Sequence, residues 1–321
     1  MRRNGKTRGR VLVIGSFVTD LACLCGELPR SGETVFGTDF RSGPGGKGAN
    51  QAVAAKRAGA ETKFLSKVGD DPLGAAAKSF LLAERIGDDI LTDEEAPTGA
   101  ALIAVKSDTG ENAIVVAPGA SLRISDDEIA SFLSDLAPED VIVVQTEAGI
   151  RVIDAALDAA GKIGARVLLN PAPYVPLGAA RVSEADVVTP NETEASQMTG
   201  IEVNDPKSAA AAAEILRERG CAAVVITLGA NGCIVSDAAG TRLIPPFPVN
   251  AIDTTGAGDA FSGNLAAALA EGAELDEACV RASAGAAISV TRRGTAPAMP
   301  FRSEIEAFLQ AEIEKKTKNE E

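Results

Sequence analysis

The chain has 321 residues, with 31 Lys plus Arg, 45 Asp plus Glu and no histidine, so its net charge is −14. That charge opposes binding to a nucleic-acid backbone or an anionic membrane surface, and the lack of histidine excludes a Ser-His-Asp triad, a Cys-His pair and a His-ligated zinc site within the chain. A general base must come from another residue type, and carboxylates are the plentiful choice. The five cysteines (Cys23, Cys25, Cys221, Cys233 and Cys279) are odd in number and show no C-x-x-C spacing. Neither a disulfide framework nor a metal knuckle is indicated, and reduced thiols in the cytoplasm are expected.

In chain order, Arg2, Arg3, Lys6, Arg8 and Arg10 precede the apolar run 11–14. The run breaks at Gly15 and meets Asp20 before any small-residue cleavage site, so it reads as a basic tail and a first strand, not a secretory leader. Nowhere do about 18 apolar residues run together, and no membrane span is expected. Short Val/Ile/Leu runs recur at 64–67, 141–144, 167–169, 187–188 and 224–227, apolar on both faces and separated by helical patterns at 48–58, 74–85, 150–163 and 206–219. This predicts an α/β fold with a doubly wound, mainly parallel sheet flanked by helices.

Residues 17–40 and 98–117 break the rhythm and alternate like half-exposed antiparallel strands, with Ser107-Asp108-Thr109-Gly110 as a hairpin turn. They predict a small, discontinuous β-sheet lid. The expected division is a main α/β domain of residues 11–16, 41–97 and 118–310, a lid of 17–40 and 98–117, and tails at 1–10 and 311–321. Residues 312–321 should form a fraying, solvated helix. Cys23 and Cys25 lie two apart, so on a strand they should share a face, packed against something apolar.

The sharpest motif is Asp253-Thr254-Thr255-Gly256-Ala257-Gly258-Asp259, followed by the apolar helical run 260–270. A Gly-rich turn entering a helix leaves backbone N–H groups free at the positive end of the dipole, a cradle for phosphate oxygens. Asp259 beside such a cradle suits the acceptance of a proton from an attacking hydroxyl. The competing reading makes Asp253 and Asp259 ordinary N-terminal caps. A second motif, Gly43-Pro44-Gly45-Gly46-Lys47-Gly48-Ala49-Asn50, contains G-x-G-x-x-G by the letter, but it does not follow the first strand as a dinucleotide fingerprint should. It reads either as a tight turn with an exposed lysine or as a loop closing on a polyhydroxylated ligand. No G-x-x-x-x-G-K-[ST] is present.

Together these segments are similar to the paired signatures of the ribokinase/PfkB carbohydrate kinase superfamily. The first runs from Gly45-Gly46-Lys47-Gly48-Ala49-Asn50 through Gly59 to Gly69, and the second is 253–259. The similarity takes in Asn170-Pro171-Ala172-Pro173, Pro190-Asn191-Glu192-Thr193-Glu194 and Thr227-Leu228-Gly229, and within the superfamily Gly-Gly-Lys-Gly-Ala-Asn-Gln at 45–51 points to the branch that phosphorylates ribose. The resemblance implies transfer of the γ-phosphate of MgATP to the 5-hydroxyl of D-ribose. Asp259 would be the base, and the amides of Gly256, Ala257 and Gly258 the anion hole.

The resemblance also implies sugar contacts at Asp20, Gly46, Lys47, Asn50 and Glu147, with Ala101, Ile103 and Val115 on the apolar side. Asn191 and Glu194 would hold Mg²⁺ through water and the ATP phosphates, and Asn191-Glu192-Thr193, although it spells a glycosylation sequon, lacks a secretory context. Thr227 and Gly229 would meet the nucleotide, and 282–286 would form the adenine pocket. Asp253, with the carbonyls of Thr255, Ser289, Arg292 and Gly294, would bind a monovalent cation such as K⁺. Two departures stand out: Ala298, where relatives often have serine, and Val18, where some place a sugar-binding asparagine. A homodimer joined through the lid is implied, as are a small-molecule sugar and ATP as ligands. The rival expectations are a kinase for deoxyribose, fructose or a nucleoside, a sensor of sugar or nucleotide without catalysis, and an NAD(P)-dependent oxidoreductase.

Overall fold

The run Val11–Ile14 forms strand β1 with every residue fully buried. Its side chains alternate between two apolar layers: Val11 and Val13 enter one core, and Leu12 and Ile14 the other. A strand covered on both faces has no polar face to show in sequence, which is why the run reads as continuous apolar residues. The computed structural model describes residues 8–109 and 111–320, so Arg2, Arg3 and Lys6 of the basic tail, Gly110 of the predicted turn and Glu321 lie outside the described residues.

The strands in chain order are β1, β2 (Val18–Cys25), β3 (Gly37–Gly45), β4 (Thr62–Gly69), β5 (Ile90–Asp93), β6 (Thr98–Lys106), β7 (Asn112–Gly119), β8 (Val141–Gln145), β9 (Arg166–Asn170), β10 (Val187–Val188), β11 (Val224–Thr227), β12 (Cys233–Asp237) and β13 (Gly240–Ile244). Among the described residues, nine of them form one sheet in the order β13-β12-β11-β10-β9-β8-β1-β4-β5. Pairing is parallel from β5 to β11 and antiparallel from β11 through β12 to β13. The expected doubly wound sheet is therefore present. The chain winds outward from β1 to β5 and then returns to β8 beside β1, so the strand order reverses between β1 and β8, where such sheets open a crevice at the carboxyl ends of their strands.

The helices fall close to the predicted runs: Lys47–Arg57, Pro72–Ala83, Ile150–Ile163 and Pro206–Glu218. Two begin with Pro at a first-turn position behind an Asp cap, with Asp71 accepting from Gly74 N (2.8 Å) and Asp205 from Ser208 N (2.6 Å). The solvated helix predicted for 312–321 is the end of a longer one, Arg302–Glu320, whose first turns dock through Ile305 and through an edge-on contact of Phe308 with Phe247.

The other sheet has the order β3-β2-β6-β7. It departs from expectation in one pairing: β2–β3 and β6–β7 are antiparallel, but β2–β6 is parallel. Each hairpin is joined by its own short connection, whereas β6 arrives from the main sheet after β5, and a long crossover leaves strand direction free. The β2–β3 register shifts between Leu24 and Cys25, with the extra residue on β3, while the β2–β6 register runs unbroken. Cys23 and Cys25 therefore keep the expected shared face, but they differ in burial, Cys25 being buried and Cys23 exposed.

Candidate active site

The helix Ala257–Ala270 starts at Gly256, whose φ of +76° is the left-handed conformation that glycine tolerates best. No side chain caps this start. Asp253 does not cap the helix either: its carboxylate accepts from Thr255 N and Gly294 N, both at 3.0 Å, and so ties the turn to the loop at 294. Of the three amides expected to form an anion hole, Ala257 N already donates to the Thr254 carbonyl at 3.2 Å. The N–H groups of Gly256 and Gly258 have no protein partner among the described residues and remain available for a phosphate oxygen.

One side of this helix start faces a cavity of about 460 Å³ lined by Thr227, Gly229, Phe247, Thr254, Ala257 and Gly258, among others. The helix Leu275–Ser289 and the residue after it contribute Ser283, Ala286, Ala287 and Val290, an i, i+3, i+4, i+7 stripe. The expected adenine segment 282–286 is thus only partly right. Ala282 and Ala284 turn into the core, and Gly285 lies against the Asn264 side chain, where a Cβ would come within 2.4 Å of its nitrogen. Among the described residues, no Asp, Glu, Lys or Arg lines this cavity.

The other side holds a polar cluster. Asp259, in the first helical turn, is buried, and its two oxygens accept from Asn50 Nδ2 and Gln51 Nε2, each at 2.9 Å. Its side chain is spent on these amides and not on the helix start, which removes the capping alternative. Asn50 and Gln51 come from the helix Lys47–Arg57, whose start at Gly46 has φ +91° and packs so closely on β2 that a Cβ would lie 2.7 Å from Val18 N. Glu147, just after β8, accepts from Lys47 N (2.8 Å) and from the Ser16 hydroxyl. The run 43–50 is therefore half strand and half helix: Gly43, Pro44 and Gly45 end β3, and Lys47 begins the helix, half-buried and not the exposed lysine of a tight turn.

Burial alone would depress the Lys47 ammonium, but Asp259, Glu147 and Glu194 together hold it above the usual lysine value. Asp20, on β2, is pushed up to about 6, first by burial and then by the carboxylates of Glu147, Asp259 and Asp253. A hydrogen bond from Thr295 Oγ1 (3.1 Å) opposes that rise. Burial likewise raises Glu194, against the lowering influence of Asn191 N and Lys47. Asn191 and Glu194 form a reciprocal capping box on the helix Glu192–Thr199, with Asn191 N donating to Glu194 Oε2 (2.9 Å) and Glu194 N to Asn191 Oδ1 (2.8 Å). The bridge between Asn191 and Thr227 brings this box beside the end of β11, where Thr227 lines the cavity.

Strand register sorts the expected apolar contacts. Asp20 pairs with Ala101, and Ala101 with Val116, so these three share a face. Ile103 lies on that face with Ile114, whereas Val115 pairs with Leu102 on the opposite side. Val115 therefore cannot line the Asp20 pocket, and Val116 takes its place. The segments that carry the expected cation ligands are joined: Ile252 N and Asp253 N both donate to the Val290 carbonyl (2.7 and 3.1 Å), linking 252–255 to 289–294. Ser289 is buried, its hydroxyl donating to Ala286 O, and Arg292 sends its side chain away to Glu304. Ala298 is buried in the turn Ala296–Ala298, and Val18 is buried at the start of β2.

Several residues of the site have no role assigned from the sequence, although Asn170 belongs to a segment that carries the resemblance. Ser16, Gln145 and Asn170 stand at or just past the ends of β1, β8 and β9, which only the sheet order brings together. Thr295 and the 246–251 segment reach the site from far along the chain. Gln51 could have been suspected from its place beside Asn50 at the start of a helix.

In this doubly wound sheet, a Gly-rich helix start separates an apolar cavity from a cluster of buried carboxylates and amides. The pattern of the pfkB family carbohydrate kinases matches residues 8–302, and the chain belongs to that family. Over 304 residues it is 40% identical to a ribokinase of Haemophilus influenzae, covering 94% of this chain and 99% of that protein. It is 39% identical to a ribokinase of Mus musculus over 305 residues, covering 93% and 94% of the two chains. The solved ribokinase of Arabidopsis thaliana complexed with ribose and ATP superposes with a TM-score of 0.84 at 28% identity, covering 94% of this chain and 99% of that one.

Proposed function

We propose that the chain transfers the γ-phosphate of ATP to the 5-hydroxyl of D-ribose, with Asp259 as the general base. The observation that carries this reading is the position of Asp259. One turn of helix presents free amides to a base-sized apolar cavity on one side and this buried carboxylate to a hydrogen-bonding pocket on the other. A sugar held there by Asp20, Asn50, Lys47, Glu147 and the Gly46 backbone meets acceptors and donors suited to vicinal hydroxyls. Ala101, Ile103 and Val116 cover its apolar side. Asp259 takes the proton of the attacking hydroxyl as the Gly256 and Gly258 amides receive charge on the transferring phosphoryl group.

Three carboxylates, those of Glu147, Glu194 and Asp259, act on the ammonium of Lys47, and Asp20 in turn feels Glu147 and Asp259. This acidic setting suits a nucleotide that arrives with its metal. Mg²⁺, bound to the phosphates and reached through water by Glu194 beside Asn191, would supply charge neutralisation. The oxygen donors of Asp253 and the carbonyls of Thr255, Ser289, Arg292 and Gly294 fit a monovalent cation such as K⁺, which would steady the loop carrying the anion hole. Thr227, Gly229 and the stripe from Ser283 to Val290 receive the nucleoside.

Residues 17–40 and 98–117 act in this reading as a lid over the sugar, excluding water from the transfer. The lid face opposite Asp20 exposes Leu102 and Val115, 57% and 67% accessible, and is covered in a homodimer of cytoplasmic subunits. The central test is ATP turnover over a panel of ribose, deoxyribose, fructose and adenosine, by the parent chain and by Asp259→Asn. Ribose should be the preferred acceptor and the variant should be nearly inactive. Preference for another acceptor would overturn the substrate, and parental turnover by the variant would overturn the base.

A further inference from the structure

Two residues of the family segments, Gln51 and Asn170, have no part in the mechanism above, yet both lie in the polar cluster under Asp259. The Gln51 amide is fully accounted for. Its Nε2 group donates one hydrogen to Asp259 Oδ1 (2.9 Å) and the other to Asn170 Oδ1 (3.0 Å), while its Oε1 accepts from Gln145 Nε2 (2.7 Å). Asn170 is oriented in turn by the Thr189 backbone carbonyl, to which its Nδ2 donates at 2.8 Å. A carboxylate and a main-chain carbonyl can only accept, so the direction of every bond in the chain is dictated from its ends. Turning the Gln51 amide over would set its oxygen against two other oxygens.

At the far end the chain closes on an unmatched group. Gln145 Oε1 is buried with no hydrogen-bond partner among the described residues, and it lies so near Gly15 that a Cβ there would come within 2.2 Å of it. An apolar residue at 145 would carry no such unpaired oxygen and would fill the same space, so packing does not explain the glutamine. Its amino group does, because it pairs the Gln51 oxygen that the Asp259 and Asn170 oxygens turn away from them, and so reinforces that orientation. Asn50 holds the second carboxylate oxygen from the preceding position of the same helix, so the plane of the carboxylate is fixed by two adjacent residues.

We infer that Gln51, oriented by Gln145 and Asn170, is a positioning residue that sets the Asp259 carboxylate for proton transfer. The inference rests on Asp259 being the base. A misplacement of about 1 Å can lower a transfer rate on the order of 100-fold, so Gln51→Leu should lower kcat by roughly 30–100-fold with KM for ribose and for ATP nearly unchanged. Gln145→Met, which removes the donor together with the unpaired oxygen, should lower kcat by about tenfold without lowering Tm. Gln145→Glu sets an acceptor against Gln51 and should reduce kcat in the parent but not in the Gln51→Leu background, a coupling that a double-mutant cycle reads directly. If Gln51→Leu fails to fold, Gln51→Met, unbranched and of similar length, replaces it.

Asp259→Asn is assayed alongside. An inactive Asp259→Asn with a fully active Gln51→Leu would overturn the positioning role while leaving the base intact. Equal losses from Gln145→Glu in both backgrounds would overturn the orienting role of Gln145. Parental turnover by Asp259→Asn would overturn the base and the inference together.

Discussion

The two halves of the site recognise their ligands by opposite means. The nucleotide side is a cavity of about 460 Å³ walled by small and apolar residues, with backbone amides at its inner edge. The sugar side is dense with carboxylates and amides that already hold one another: Asp259 with Asn50 and Gln51, Glu147 with Ser16 and Lys47 N, and Asp20 with Thr295. One side selects by shape and the other by fixed polar groups. A volume change should therefore damage the first and spare the second, while a charge change should do the reverse.

The largest effect is expected at the junction of the two. Asp259→Ala removes the proton acceptor and should lower kcat by about 10³-fold, with both ligands still bound, as titration calorimetry would read. Next, Ala286→Phe fills the apolar cavity and should raise KM for ATP by at least about tenfold, the scale of one well-filled contact in a pocket, while KM for the sugar stays put. Equal rises in both constants would break the division between the halves. Asp20→Asn should act only on the sugar side, raising KM for ribose by roughly tenfold for one hydrogen bond weakened from charged to neutral, with ATP unaffected.

The same aspartate gives a pH signature. With its folded pKa raised to about 6, Asp20 favours the protonated form in the folded protein, so its contribution to stability falls as pH rises from about 4 through 6. Asp20→Asn should thus be more stable than the parent at pH 8, by about 1–3 kcal/mol. The two should converge below pH 4, as denaturant unfolding across pH would show. The smallest effect is in the parent chain itself. KM for ribose should rise a few-fold as pH falls below about 6, as Asp20 gains a proton and loses acceptor strength, and KM for ATP should not follow.

The two halves were also unequally legible in the sequence. The anion-hole turn and Asp259 belong to one contiguous motif, because a helix start and its first turn are local structures. Of the segment expected at the adenine, Ser283 and Ala286 line the cavity while Ala282 and Ala284 turn into the core, since a run of small residues shows a helix without showing which stripe faces the cavity. Val115 was expected on the sugar side from the resemblance alone, and the β6–β7 register puts Val116 on the Asp20 face in its place. The shared face of Cys23 and Cys25 follows from strand alternation, but their unequal burial does not.

By itself the sequence determined the layered α/β architecture, because strands buried on both faces and helices buried on one leave different apolar periods. It also determined the glycine turns, because positive φ and close backbone approach restrict residue type. Tertiary structure alone decided what surrounds the Asp259 carboxylate. Ser16, Gln145 and Asn170 reach the site from three separate strand ends, and the order of strands in the sheet is a long-range property that no local pattern encodes. The directions of the amide bonds beneath Asp259 follow from that convergence, since each amide takes its orientation from the fixed acceptors it meets in space and not from its neighbours in the chain.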